Sequence, residues 1–243
     1  MAVLSGEHRR LLERAVGEAR IAAEIGAVAA IKRLGVAETK APSYLSPEES
    51  ELRVHLRAHA RQLRDELSNS IQQISHLREA CAYEHWHRML FAHFLISNGC
   101  LVHPEMQVAM SIDEVQELAK GAGQEPWVFA AACAQRMLPA IFRQDDPVLA
   151  IKLPPETTTK LQGLITQLPA EVWKARDSLG WVYQFWQSER KDAINKAGDK
   201  IGPDDISAVT QLFTEPYMVD FLLHNTLGAW WAAHRLGSDA NLH

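Results

Sequence analysis

Histidines supply the first candidate chemistry. His55 and His59 lie one helical turn apart, with Glu51 a turn earlier, and an i, i+4 pair of imidazoles can share a metal ion. The stretch has no glutamate of the HExxH kind, no third ligand at a useful spacing, and arginines crowd both positions. A solvated polar face is the better reading, and no metal is expected. His85 and His87 in "EHWH" are two residues apart and point to different sides of a helix. Arg53, Arg57, Arg61 and Arg64 form a basic stripe in the same region. Guanidinium groups at that spacing can follow a phosphate backbone, so these four are candidate DNA contacts. The competing reading is a salt-bridged surface, because Glu48, Glu49, Glu51, Asp65 and Glu66 lie alongside. The sequence holds no GxSxG elbow, no GxGxxG and no Walker loop. Cys81, Cys100 and Cys133 lack CxxC spacing, which reads as small hydrophobes in a reducing, cytoplasmic setting.

The elements that would carry these residues are helical. The 243 residues are 47% hydrophobic and 23% charged, the profile of an ordinary globular chain. A net charge of −5 argues against nucleic-acid binding by bulk charge. The N-terminal "MAVLSGEHRRLL" has no apolar core of a signal peptide. Glu7 to Leu34 is an alanine-rich helix that Gly35 would stop. "LSPEES" places Ser46 as N-cap, Pro47 at the first helical position and Glu49 at the third, a capping box.

Beyond it, Leu56, Ala60, Leu63, Leu67, Ser70, Ile74, Leu77 and Cys81 recur in steps of four and three. That spacing predicts one stripe along a long helix, with a break near Ser68-Asn69-Ser70. The pattern runs on to a stop at Asn98-Gly99. Ser111 and Glu114 cap a short helix that Gly121 ends, and "EPWVFAAACAQRM" gives a buried helix that Pro139 ends or kinks. "RQDDPVLAIKLPPETTT" is the best boundary. It divides the chain into an N-terminal helical domain, 1–152, and a second helical segment, 153–243. The apolar stretch Tyr217 to Leu236 is interrupted by Asp220, His224, Asn225, His234 and Arg235. It reads as a buried helix, not a membrane span.

From Ser178 onward the chain carries three quotable motifs: Leu179-Gly180-Trp181-Val182-Tyr183, Thr210-Gln211-Leu212-Phe213-Thr214 and Asn225-Thr226-Leu227-Gly228. Together they resemble the segment leading into the catalytic domain of large bacterial DNA adenine-N6 methyltransferases of the BREX, DISARM and Eco57I-like kind. "YEHWHRMLFAHFLISNGCL" is similar, more loosely, to a helix of the family's N-terminal region.

The resemblance implies a phage-defence or restriction-modification enzyme that uses S-adenosylmethionine and acts on double-stranded DNA. It implies that Phe213 and Thr214 line one side of the cofactor pocket. Thr214 is a natural N-cap, and a helix N-terminus suits the cofactor's carboxylate. Many relatives read Thr-Pro where this chain reads Thr-Glu-Pro. The family's Asn-Pro-Pro-aromatic loop, which holds the flipped adenine, has no counterpart. The one Pro-Pro here is Leu153-Pro154-Pro155-Glu156, and the glycine-rich cofactor loop is also missing.

The expectation is therefore an all-α multi-helix bundle with long antiparallel helices. Its last helix would lead into a Rossmann-like methyltransferase domain, and the chain would be inactive alone. The implied partners are the remainder of the methyltransferase, DNA and further defence-system subunits, with no membrane. A stand-alone helical interaction or regulatory protein and a DNA-binding module are the alternatives.

Overall fold

The alanine-rich N-terminal segment forms helix α1, Gly6–Arg33. Leu12, Val16, Ala19, Ala23, Ala27, Ala30 and Ile31 lie on its buried side, the 3–4 spacing of a single helical face. Gly35 ends it at φ 60°. The Val36 amide donates to the Ile31 carbonyl and the Gly35 amide to that of Lys32, so the last carbonyls are satisfied by a left-handed cap. Helix α2, Pro47–Gln62, opens with the Ser46–Glu49 capping box and Pro47 in its first turn. These are the punctuation marks read from the sequence.

The computed structural model of the protein describes residues 3–143, 145–197, 202, 206–210 and 213–238. Among them the remaining helices are α3 (Ser75–Ser97), α4 (Ile112–Gly121), α5 (Pro126–Met137), α6 (Pro155–Thr166), α7 (Ala170–Lys174), α8 (Ser178–Ala197), α9 (Ile206–Thr210), α10 (Pro216–Leu223) and α11 (Ala229–Ser238). A 3-10 turn covers Pro147–Ala150, and a π-helical turn, His224–Gly228, joins α10 to α11. The all-α, multi-helix class expected from the sequence is observed. The exceptions are a hairpin of two-residue strands, β1 (Leu67–Ser68) and β2 (Ile71–Gln72), with Leu67 opposite Gln72, and an isolated antiparallel bridge between Val102 and Ala109.

That hairpin interrupts the long stripe from Leu56 to Cys81 at the break expected near Ser68-Asn69-Ser70, and the interruption is wider than a kink. Helix α2 stops at Gln62, where Arg64 takes φ 73° and the Asp65 amide donates to the Ala60 carbonyl. Asn69 and Ser70 then both adopt positive φ, the conformation of a tight two-residue hairpin turn. Leu56, Ala60, Leu77 and Cys81 are buried, as the stripe requires, but Leu67 is 50% exposed. Asp65 makes the new helix start possible. Its carboxylate, 2% exposed, accepts the His76 and Leu77 amides at 2.9 Å each, capping α3 from outside the helix. Gln72 ties the same corner together, donating to the Asp65 carbonyl at 3.0 Å and that of Gln73 at 3.1 Å.

Helix α4 has the Ser111–Glu114 box, and its left-handed terminator is Gly123, at φ 65°, not Gly121. Helix α5 ends two residues before Pro139.

The chain divides into two compact units, one comprising residues 14–174 and the other residues 1–13 with 175–243. In the first, α3 is central and packs against α2, α5, α6, α7 and the 3-10 turn. Cys81, Trp86, Leu90, Leu161 and Trp173 supply its core. Because α6 and α7 pack on α3, this unit continues past the 152/153 boundary read from the sequence. No helix among the described residues is long and apolar enough to cross a membrane.

Candidate functional site

In the unit that contains α8, two of the quoted motifs meet. Gly180 lies in the first turn of α8 and the ring of Phe213 sits directly on it. A β-carbon added at Gly180 would lie 2.0 Å from the Phe213 Cδ2 and Cε2. The ring also packs on Trp181, with centroids 5.2 Å apart, and the Phe213 amide donates to the Gln184 Oε1 at 2.7 Å. The glycine of the Leu-Gly-Trp stretch is thus required by close approach of an aromatic ring.

Trp181 is itself held by Asp177 and Arg9. Its Nε1–H donates to Asp177 at 3.0 Å, the other Asp177 oxygen accepts the Leu4 amide at 2.9 Å, and the Arg9 guanidinium lies 3.9 Å above the ring. Asp177 is 3% exposed and uses both oxygens in these bonds. The result is a rigid aromatic platform with Phe213 on top, half-buried.

Thr214 does not cap the following helix. It is exposed, and the N-cap of α10 is Glu215, with Pro216 in the first turn and no side-chain cap bond. The residue inserted between Thr214 and Pro216 moves the cap by one place. Pro216 has no N–H, and the Met218 and Val219 amides donate to the Glu215 carbonyl. The carboxylate of Glu215 stands beside this terminus, 3.4 Å from Arg9. Gln211 and Leu212 of the same motif lie outside the described residues.

The four arginines separate into two pairs. Arg53 is 7% exposed and donates through Nε to the Gly35 carbonyl at 2.9 Å and through Nη2 to that of Glu38 at 2.6 Å. Arg57 donates to the carbonyls of Val36 and Glu38 at 2.5 and 2.7 Å. Both close the turn after α1 and are held on backbone oxygens. Arg61 is exposed and reaches Gln72 at 3.3 Å, and Arg64 stands in the left-handed cap beyond the helix end. The stripe is broken as a surface, because its first two members face the protein.

His55 is exposed. His59 sits 3.7 Å from Asp146. Among the described residues no group of three or more His, Cys, Asp or Glu could hold a metal ion. Burial pushes the Cys81 thiol up to about 12, which keeps it protonated and unreactive.

Two curated proteins are similar to this chain. The adenine-specific methyltransferase BrxX of Escherichia coli O9:H4 (strain HS) is 28% identical over 187 residues, covering 64% of this chain and 15% of the relative. The adenine-specific methyltransferase PglX of Lacticaseibacillus casei (strain Zhang) is 31% identical over 100 residues, covering 39% of this chain and 8% of the relative. The chain is a relative of the BREX-type adenine-specific methyltransferases. No family model matches it, and no solved structure does. The matches span less than a sixth of the length of either relative.

Between Tyr217 and Arg235 the helix expected to be buried has no buried residue. Tyr217, Phe221, Leu227 and Trp230 are each 63–65% exposed, and Leu222 and Trp231 are both 58% exposed. Helices α10 and α11, joined by the π-helical turn, form one continuous rod whose apolar side chains face outward. The Arg176–Asp220 pair at 3.3 Å and the Arg9–Glu215 pair tie its first turns to the rest of the unit. Composition alone could not reveal this exposure, since an apolar helix is normally buried. Asp177 and Arg9, which position Trp181, carried no sequence signal of their own.

Proposed function

We propose that this chain is the N-terminal helical part of a site-specific DNA adenine-N6 methyltransferase of a bacterial phage-defence system. Its work there is to scaffold the catalytic domain. The observation that carries the reading is the relationship to two adenine-specific methyltransferases across a stretch that is a small part of each. The exposed apolar rod, Tyr217 to Trp231, supports it. Large side chains on one helix, more than half exposed, are what an internal domain interface looks like when its other half is taken away.

In the complete enzyme S-adenosylmethionine supplies an electrophilic methyl group, and the protein orients the adenine amine toward it. The platform of Gly180, Trp181 and Phe213 fixes where the chain enters α10, and so positions one wall of the cofactor pocket near Phe213 and Thr214. Arg61 and Arg64 are the exposed arginines of the stripe and its DNA-contact candidates, whereas Arg53 and Arg57 hold backbone carbonyls. The chain alone transfers no methyl group, because it carries neither a glycine-rich cofactor loop nor an Asn-Pro-Pro-aromatic motif.

Calorimetric titration of S-adenosylmethionine tests the reading, with the chain alone and with the chain extended by the catalytic domain. The expected result is no heat for the chain alone, and binding with adenine methylation of duplex DNA for the extended protein. Binding or methylation by the chain alone, or an extended protein that methylates equally well without residues 1–243, would refute it. Duplex binding by the extended protein should be salt-dependent and weaken on Arg61→Ala plus Arg64→Ala. If the double variant binds as tightly as the parent, the arginines have no part in DNA contact.

A further inference from the structure

Within the unit of residues 14–174, helices α3, α5 and α6 line a cavity of about 460 Å³, with residues 149–153 along one side. Its walls are mainly apolar. Val128, Ala131 and Ala132 come from α5, Met89 from α3, and Leu161, with no exposed surface, from α6. Size and lining are those of small-molecule sites, which fall at about 300–1,000 Å³ with a few convergent polar groups. The charges, donors and acceptors among those groups decide what such a site takes.

The positive charges at this cavity are already answered. The Glu84 and Asp146 carboxylates lie close enough to the Arg88 guanidinium to offset its charge, and its Nη1 donates to the Arg143 carbonyl at 2.9 Å. Lys152 is exposed and near the Glu49 carboxylate. Glu125, the acidic residue of the lining, lies exposed at the start of α5. No buried charge is left for an ionic ligand to pair with. Thr158 and Gln162 each carry a donor and an acceptor and set no preference. His85 does. Its Nε2 lies 3.0 Å from the Val148 carbonyl, which can only accept, so the proton sits on Nε2 and Nδ1 is a bare acceptor. Nδ1 has no partner among the described residues, and it is not sealed off from water. Burial pushes the imidazole pKa down, which keeps the ring neutral at pH 7.

We infer that the cavity between α3, α5 and α6 binds a neutral, largely apolar molecule that carries a hydrogen-bond donor. The donor sits on His85 Nδ1, and the apolar body lies along Met89, Ala132 and Leu161. A hydroxyl or a ring N–H satisfies that nitrogen, whereas an ether offers it only lone pairs. Neither the relationship to methyltransferases nor the fate of the α10–α11 rod enters this inference.

2-Naphthol, its methyl ether and 2-naphthoate are the probes, titrated at pH 7 into the whole chain while the Met89 and Val128 methyl resonances are followed. Naphthol should shift both methyls and bind about five- to tenfold more tightly than the ether, the worth of a single hydrogen bond. Naphthoate should bind no more tightly than the ether. The His85 Nδ1 nitrogen resonance should move upfield with naphthol and stay in place with the ether. His85→Phe should bring naphthol down to the ether level, with the ether itself reporting that the cavity persists. Ala132→Trp, at an exposed position, should abolish the methyl shifts while the helical circular dichroism is kept. Neither variant alters the apolar rod, so adventitious binding there would survive both. The nitrogen shift is read on the parent chain and decides the matter even where His85→Phe fails to fold. Equal affinity for naphthol and ether, an unmoved Nδ1 resonance, or tighter binding of naphthoate would each overturn the inference. So would a folded His85→Phe protein that still prefers naphthol, or unchanged binding in a folded Ala132→Trp protein.

Discussion

Replacing Gly180 by Ala tests the aromatic platform most directly, because two opposing effects predict a change of sign. A β-carbon at this position would lie 2.0 Å from Phe213, whereas ordinary contact begins at 3.4 Å, so the ring must move by 3.4 − 2.0 = 1.4 Å. Movement is resisted by the Phe213 amide bond to Gln184 at 2.7 Å and by Trp181 beneath the ring. Overpacking of this kind costs about 1–3 kcal/mol. Against it, Gly→Ala in a helix gains at most about 1 kcal/mol of propensity.

In the parent chain Gly180→Ala should therefore destabilise this unit by about 0–2 kcal/mol. With Phe213→Ala in place the clash is gone, and the same substitution should stabilise by up to about 1 kcal/mol. The coupling between the two sites is the overpacking cost itself, about 1–3 kcal/mol. Hydrogen exchange of the α8 amides reads the local free energy of this unit without assuming that the whole chain unfolds in one step. If Gly180→Ala has the same effect with and without Phe213, the ring does not rest on the glycine and the platform argument is wrong.

Three further outcomes follow from other contacts. Asp65→Ala removes both bonds that cap α3 and should cost about 1–2 kcal/mol in urea denaturation, with Asp65→Asn intermediate; a neutral Asp65→Ala would contradict the capping role. Arg64→Gly relieves a non-glycine residue in the left-handed conformation and should stabilise the chain by about 1 kcal/mol, so a loss in melting temperature would refute the terminator assignment. His93 gives a pH dependence. Burial lowers its pKa from 6.5 to about 4, so the unfolded chain takes up a proton more readily than the folded one. This contribution is complete above pH 6.5 and is lost as pH falls from there toward about 4. Allowing for solvent access to the ring, it amounts to about 1–2 kcal/mol. His93→Phe should flatten the difference between urea midpoints at pH 7.5 and 5, and an undiminished difference would remove His93 as its source.

Local rules were legible in the sequence wherever one residue type satisfies a nearby backbone group. Ser46 with Glu49 and Ser111 with Glu114 cap their helices, and Gly35 and Gly99 adopt the left-handed terminators expected of them. Those signals act over four or five residues and need no tertiary partner. The break near Ser68-Asn69-Ser70 was legible from its turn-forming residues, but the early stop of α2 at Gln62 was not, because the 3–4 apolar spacing continued through Leu67 and Ser70. What cut the helix was Asp65, which gains two amide bonds by reaching the start of α3. The arginine stripe was likewise ambiguous, since spacing cannot say whether a guanidinium faces phosphate or a backbone carbonyl of another segment.

The sequence by itself determined the helical class, the helix punctuation and the family resemblance, because each depends on short-range chemistry or on aligned residue identity. Tertiary structure alone decided three things. It turned Arg53 and Arg57 inward onto the carbonyls of residues 35–38. It seated Phe213 on Gly180, residues distant in sequence. It also left the apolar helix from Tyr217 to Trp231 facing outward. A side chain's burial is set by what packs over it, and that partner is not written in the residue's own neighbourhood.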